Sequence, residues 1–244
     1  MNAIVTGLHG TVAPALAQAL AAGGHTVTAW DRAQTPIDSA AAARAFIREA
    51  RPDWFFHLAT GSPAWAELAA AVCAEQGVKF LFTSSVSVFA AAQRGPFTVE
   101  HPPEPADDYG RYKLDCERRV RAACPEARVV RLGWQIGLQS GGNHMVDYLE
   151  RASQVQGHLD ASVHWYQACS FLSDTAAGLV EVMQAQPAGL YHLDGNPGLN
   201  FHEIVLGLRR LLGRPWVVHP STSPALDNRL LDERVRVAAI TQRF

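Results

Sequence analysis

The sequence predicts an α/β protein, a doubly wound parallel sheet flanked by helices with a small C-terminal lobe. Three observations carry this reading. Short apolar runs alternate with alanine-rich helical stretches through residues 1–134. The runs are apolar on both faces, as strands covered by helices on each side must be. A glycine-bearing turn joins the first run to the first helical stretch, the arrangement that begins a βαβ unit.

Taken in order, residues 3–6 (AIVT) read as the first strand, and Thr11 to Ala22 as a helix stopped by Gly23 and Gly24. Thr26 to Asp31 is the second strand, Ala40 to Ala50 a helix, and Arg51-Pro52-Asp53 a turn. Trp54 to Ala59 (WFFHLA) is a buried strand, Trp65 to Gln76 a helix, and Val78 to Ser84 a further strand. Four prolines between residues 90 and 107 mark a long loop. Asp108 to Cys124 is helical and Arg128 to Leu132 (RVVRL) a strand. Beyond residue 134 the alternation breaks. Helices are expected at 143–155, 174–185 and 201–212, with one strand at Leu190–Leu193. Residues 1–134 therefore form the sheet-bearing core. Residues 135–244 form a small lobe with elements returning to that core, the whole a single structural unit.

Bulk properties exclude several classes of function. With 48% hydrophobic and 18% charged residues in 244, the chain has the material for a sizeable core and is not disordered. A formal net charge of −2 offers no basic field to nucleic acid or to an anionic membrane. The four cysteines, Cys73, Cys116, Cys124 and Cys169, lack paired ligand spacing and read as reduced thiols. No metal site is expected, because the His residues form no spaced ligand set. His57, at the end of an apolar run, reads as a core residue. Without a basic leader or a long apolar span, the expected location is the cytoplasm.

The turn Thr6-Gly7-Leu8-His9-Gly10-Thr11-Val12-Ala13 follows the first strand and opens a helix. A pyrophosphate binds backbone N–H groups at a helix N-terminus, so side chains must be absent where it passes. Gly7 permits the turn, Gly10 the approach, and Ala13 close packing of helix on strand. Asp31 ends the second strand, 21 residues after Gly10, where an acid accepts hydrogen bonds from adenosine ribose hydroxyls. Such an acid favours NAD, since it repels a 2′-phosphate. Arg32 beside it could accept that phosphate, so NADP stays open.

Tyr109 and Lys113 lie at i and i+4, on one face of a helix. Reduction of a carbonyl needs a proton donor and oxidation of an alcohol needs a base. A tyrosine serves when a neighbouring ammonium lowers its pKa. Ser85 ends an apolar run 24 residues before Tyr109, where its hydroxyl can bond a substrate oxygen. Ser84 and Ser87 are the alternatives.

With these pieces in order, the chain resembles the extended short-chain dehydrogenase/reductase superfamily, nearest the branch of dTDP-4-dehydrorhamnose reductases and sugar-nucleotide epimerases. The matching segments are TGLHGTVA, WDR, HLAT, FTSSVSVF, YGRYK, VVRLGWQIG and FLSDTAAGL, followed by GLYHLDGNPGLNFHEI and LDNRLL. The resemblance implies a Rossmann-type core and a substrate-binding C-terminal lobe. It implies Tyr109 as acid/base, Lys113 as its partner and Ser85 as donor to the substrate oxygen. It places cofactor contacts at Gly7, His9, Gly10, Thr11, Val12, Asp31, Arg32, Leu58, Ala59, Thr60, Ser84, Tyr109, Lys113 and Trp134. Asp38 resembles an acid that contacts adenine in such proteins. The expected activity is NAD(P)-dependent hydride transfer at a keto-sugar or nucleotide-sugar-like substrate. The alternatives are an NAD-dependent sugar epimerase and a non-catalytic dinucleotide-binding regulatory protein. A monomer or homodimer is expected, with no nucleic-acid or membrane partner. Departures are also visible. Thr60-Gly61-Ser62-Pro63 leads almost directly into a helix, where relatives carry a longer loop with a relay asparagine. No Asp-Glu pair follows Ser85, which disfavours dehydration.

Overall fold

The computed structural model describes residues 1–90, 92–139 and 141–244. Its centre is a parallel sheet of six strands. The first half supplies β1 (Asn2–Thr6), α1 (Ala13–Ala22), β2 (Thr26–Ala29), α2 (Ala40–Ala50), β3 (Trp54–His57), α3 (Pro63–Gln76), β4 (Lys79–Ser85), α4 (Asp108–Ala123) and β5 (Arg128–Leu132). The second half supplies β6 (Trp134–Ile136), α5 (Met145–Gln156), β7 (Leu159–Ser162), β8 (Trp165–Tyr166), β9 (Cys169–Phe171), α6 (Leu172–Ala185), β10 (Gly189–Leu193), α7 (Phe201–Leu212), β11 (Val218–Ser221) and β12 (Leu226–Asp227). Across the sheet the order is β2-β1-β3-β4-β5-β10. The chain winds one way from β1 to β2, then reverses to lay β3 on the other side of β1. Ligands bind where the order reverses, beyond the carboxyl ends of the strands.

Alternation along the strands builds two cores. Ile4, Phe55, Phe80, Phe82 and Val129 face α2, α3 and α4. Ala3, Val5, Trp54, Phe56, Leu81 and Val130 face α1 and α6. β1, β3 and β4 are thus apolar on both sides, and their sequence shows runs instead of alternation. A third core joins α5, β7, β9 and α7 through Met145, Leu149, Leu159, Phe171, Ile204, Leu208 and Trp216. This is the expected small lobe, and α6 and β10 return from it to the sheet.

Boundaries differ from the sequence expectation where capping decides. The first helix begins at Ala13, since Val12 is its N-cap. The third begins at Pro63, because the Ser62 hydroxyl accepts from Trp65 N and proline suits a first helical position. In the lobe the structure adds β6–β9, β11 and β12, strands of two to four residues that form three parallel pairs. Elements this short display no periodicity. Among the described residues, no helix is long and apolar enough to cross a membrane.

Candidate functional site

A cleft of about 1300 Å³ opens at the reversal point between β1 and β3. Its floor begins at the glycine turn. Gly7 has φ +82°, and a Cβ there would meet Ala59 N at 2.9 Å, so only glycine suits this position. Gly10 N donates to Gly7 O at 2.7 Å and closes the turn. Beyond it α1 starts without any side-chain cap, in contrast to α2, α3, α4 and α7, which carry Ser39, Ser62, Asp107 and Asn200. Its first N–H groups and the positive end of its dipole are thus left for a ligand anion. The buried Thr6 hydroxyl accepts from Leu58 N and Ala59 N, both at 3.0 Å, and pins the end of β3 against β1.

Asp31 and Arg32 line the cleft just past β2. The Asp31 carboxylate accepts from Ala33 N at 2.8 Å and Gln34 Nε2 at 3.0 Å, which fixes its orientation. The Arg32 guanidinium donates to the Thr60 carbonyl and lies over the Trp65 ring, 4.7 Å from its centroid. Asp38 is exposed and is not part of the cleft lining. The expected adenine contact at Asp38 is therefore not brought to the cleft. The residue sits in the loop just before Ser39 caps α2.

At the other end stand Ser85, Tyr109 and Lys113. Asp107 caps α4 by accepting from Gly110 N at 2.6 Å. Gly110 lets α4 press onto the 3-10 turn Val86–Val88, since a Cβ there would collide with the Ser87 carbonyl oxygen. This approach carries Tyr109 to Ser85. The Ser85 hydroxyl also accepts from Ser87 N at 3.1 Å. Lys113 is 3% exposed, and its Nζ donates to the Thr83 carbonyl at 2.9 Å. Burial pushes its pKa down to about 8, against the raising influence of Cys116 and Glu117. Its Nζ lies 5.7 Å from the Tyr109 ring centroid.

The Tyr109 phenol departs from expectation. Its pKa is raised, chiefly by desolvation at the cleft wall, while a hydrogen bond with Ser85 pulls the other way. The Lys113 ammonium is turned to Thr83 and does not bring the phenol down. A phenol so held keeps its proton at neutral pH.

The cleft also gathers the other expected residues: His9, Thr11, Val12, Leu58, Ala59, Thr60, Ser84 and Trp134. His57 lies among Phe55, Phe80, Phe82 and Trp65, where desolvation first, then Lys113 and Arg32, push its pKa down to about 3. It is a neutral core residue, as its position in the apolar run suggests. Sequence reasoning missed four carboxamides that line the far wall: Gln135, Asn143, Gln167 and Asn228. Asn228 Nδ2 donates to Gln167 Oε1 at 3.3 Å, and Trp165 Nε1 donates to Asn228 Oδ1 at 3.2 Å. They come from separate loops and strands of the lobe, so no spacing in the chain announces them. Gln135 and Asn228 do fall within the segments VVRLGWQIG and LDNRLL.

A reversal-point cleft with a bare helix terminus at one end and a serine, tyrosine and lysine at the other places the molecule in the extended short-chain dehydrogenase/reductase class of oxidoreductases. Comparison with known sequences narrows this. The family described as RmlD substrate binding domain matches residues 62–213, more than half of the chain. The chain is 28% identical over 246 residues to a dTDP-4-dehydrorhamnose reductase of Streptomyces griseus, covering 91% of this chain and 80% of the relative. It is 29% identical over 197 residues to the dTDP-4-dehydrorhamnose reductase of Mycolicibacterium smegmatis, covering 74% of this chain and 59% of that protein. In fold it is similar to dTDP-4-dehydrorhamnose reductase from Bacillus anthracis in complex with NADP. There the TM-score is 0.80 at 17% identity, over 95% of this chain and 90% of the other. The protein belongs to the RmlD substrate binding domain family.

Proposed function

We propose that this protein reduces a keto group on a nucleotide-linked sugar, with Tyr109 delivering the proton. The observation that carries the reading is one continuous cleft from the Gly7 turn to Ser85, Tyr109 and Lys113, walled beyond by Trp134 and the four carboxamides. The names of the relatives, reductases of a dTDP-linked sugar, support the same substrate class.

The cleft residues suit a nicotinamide dinucleotide. The glycine turn and the bare terminus of α1 would take the pyrophosphate, and Asp31 the adenosine ribose hydroxyls. Lys113 would hold the second ribose from the side of Thr83. When bound, the cofactor supplies hydride to the carbonyl carbon. Ser85 donates a hydrogen bond to the carbonyl oxygen as negative charge grows there. The Tyr109 phenol gives that oxygen its proton, and the product is the alcohol. Tyr109 as a whole is 47% exposed, which leaves solvent a route to replace its proton. This also accounts for the short Thr60–Pro63 connection, which lacks a relay asparagine. Trp134 would stack on an apolar ring face while the carboxamides bond hydroxyls, a lining suited to a neutral sugar.

The test is reduced-cofactor oxidation with dTDP-4-keto-6-deoxy sugars, followed by product analysis for net reduction. Tyr109→Phe should lower turnover by about 10²- to 10⁴-fold while nucleotide affinity stays within about twofold. Unchanged turnover in that variant removes Tyr109 from the chemistry. We further propose NAD as the preferred cofactor, because the Arg32 guanidinium is occupied by Thr60 and Trp65 while Asp31 lines the cleft. Asp31→Ala should weaken NAD binding more than NADP binding in fluorescence titrations. Equal loss for both, or tighter NADP than NAD in the unaltered protein, rejects that preference.

A further inference from the structure

We propose that His158, Asp160 and His219 form a surface site for a divalent transition-metal ion of the zinc type, separate from the cleft. The three side chains come together by sheet geometry. β7 and β11 pair in parallel with His219 opposite Asp160. Asp160 projects outward from β7 while Leu159 and Ala161 turn into the lobe core, and His158, just before the strand, reaches the Asp160 carboxylate. One ligand atom from each of the three lies within 4.8 Å of the others. His158 Nε2 is 3.5 Å from Asp160 Oδ2, and His219 Nδ1 is 3.9 Å from Asp160 Oδ1. The two imidazole rings are 4.9 Å apart, centroid to centroid. A tetrahedral zinc ion, with bonds of about 2.0–2.1 Å to nitrogen, holds its donors roughly 3.3 Å apart. Modest side-chain rotation closes the set.

A second observation concerns the His158 ring. Its Nδ1 lies 3.1 Å from the carbonyl oxygen of Gln156. That oxygen only accepts, so the proton sits on Nδ1. The Nε2 lone pair of a neutral ring then faces a carboxylate, acceptor against acceptor. Only a positive charge between them, a proton or a metal ion, makes that arrangement favourable. Orientation of a ligating histidine by a backbone carbonyl behind it is the usual support of a metal site. Two histidines and one carboxylate leave open positions for water and select zinc, cobalt or nickel over magnesium or calcium. None of the three residues lines the cleft. The site therefore acts as a clip between β7 and β11, two strands brought together across α7, and not as a catalytic centre.

The experiment is calorimetric titration of the untagged, chelator-treated protein with zinc chloride, followed by cobalt substitution and its visible spectrum. One zinc ion should bind per chain, and cobalt should give the absorption of a nitrogen- and oxygen-ligated ion. His219→Ala and Asp160→Asn should each weaken zinc by about tenfold or more, with circular dichroism unchanged. Saturating zinc should raise the melting temperature of the unaltered chain but not of His219→Ala. Absence of stoichiometric binding, or a zinc affinity in both variants unchanged from that of the unaltered protein, overturns the proposal.

Discussion

Lys113 shows what the site costs the fold at the level of one residue. For an ammonium at 3% exposure, bonded to the Thr83 carbonyl, burial pushes the pKa down from 10.5 to about 8. A depressed lysine pKa means that the folded state releases the proton before the unfolded state does. Between pH 8 and 10.5 the unfolded chain binds more protons, and stability from this group rises with pH. Below pH 8 the full penalty of the buried charge is present. It amounts to about 3 kcal/mol, at 1.36 kcal/mol per pKa unit. Lys113→Met should therefore be as stable as the parent, or more stable by up to about 3 kcal/mol at pH 7, less the cost of an unpartnered Thr83 carbonyl. Urea denaturation of both proteins across pH 7 to 10.5 measures this. The variant should lack the alkaline gain, and its reductase activity should be lost. A variant destabilised at pH 7 with the same pH slope would show that the ammonium is not the strained group.

At the scale of elements, the site depends on how closely α4 approaches the turn after β4. A Cβ added at Gly110 would collide with the Ser87 carbonyl oxygen and come within 2.9 Å of Pro105 Cβ, so an added methyl has no room. Gly110→Ala should push the start of α4 outward and part Tyr109 from Ser85. Helix propensity alone would favour the change by about 1 kcal/mol. We expect turnover to fall by about tenfold or more, as a displacement on the order of 1 Å can cost, with only a small change in melting temperature. Near-parental turnover would mean that α4 can shift without disturbing the reacting groups. The sequence made β1, β3 and β4 readable through their apolar runs, and β2 and β5 through short β-branched runs placed between helical stretches. It also pointed to Gly7, Asp31, Ser85 and Tyr109, which fall at or near element ends, and to Lys113 one helical turn beyond Tyr109; all five line the cleft. The need for Gly110 was not readable, because it arises from a contact with Ser87, 23 positions earlier in the chain. The carboxamide wall and the strands of the lobe were hidden for a related reason: their partners lie far apart in sequence and each segment is short. The direction of the Tyr109 shift is set chiefly by its burial against the cleft wall, which no spacing records.

At the scale of the whole molecule, the two halves share their framework. β10 completes the sheet beside β5, and α6 packs on α1 through Leu179, Val182 and Met183. We propose that residues 1–134 and 135–244, though distinct as dinucleotide-binding core and lobe, unfold together. Calorimetry should give one transition with equal calorimetric and van't Hoff enthalpies, and two resolved transitions would separate the halves. The buried Glu117–Arg131 pair, at 2.8 and 2.9 Å, reinforces the join, because Arg131 on β5 also reaches His192 on β10 at 3.5 Å.

The late arrival of β10 has a consequence during synthesis. A nascent chain that has left the ribosome only as far as residue 134 presents Arg128–Leu132 with a bare row of amide and carbonyl groups, beside apolar ground that α6 has yet to cover. Such a rim recruits any extended peptide nearby. Prematurely terminated chains of this protein should therefore clump, and the full-length product should depend on finishing translation before a neighbour takes the vacant place.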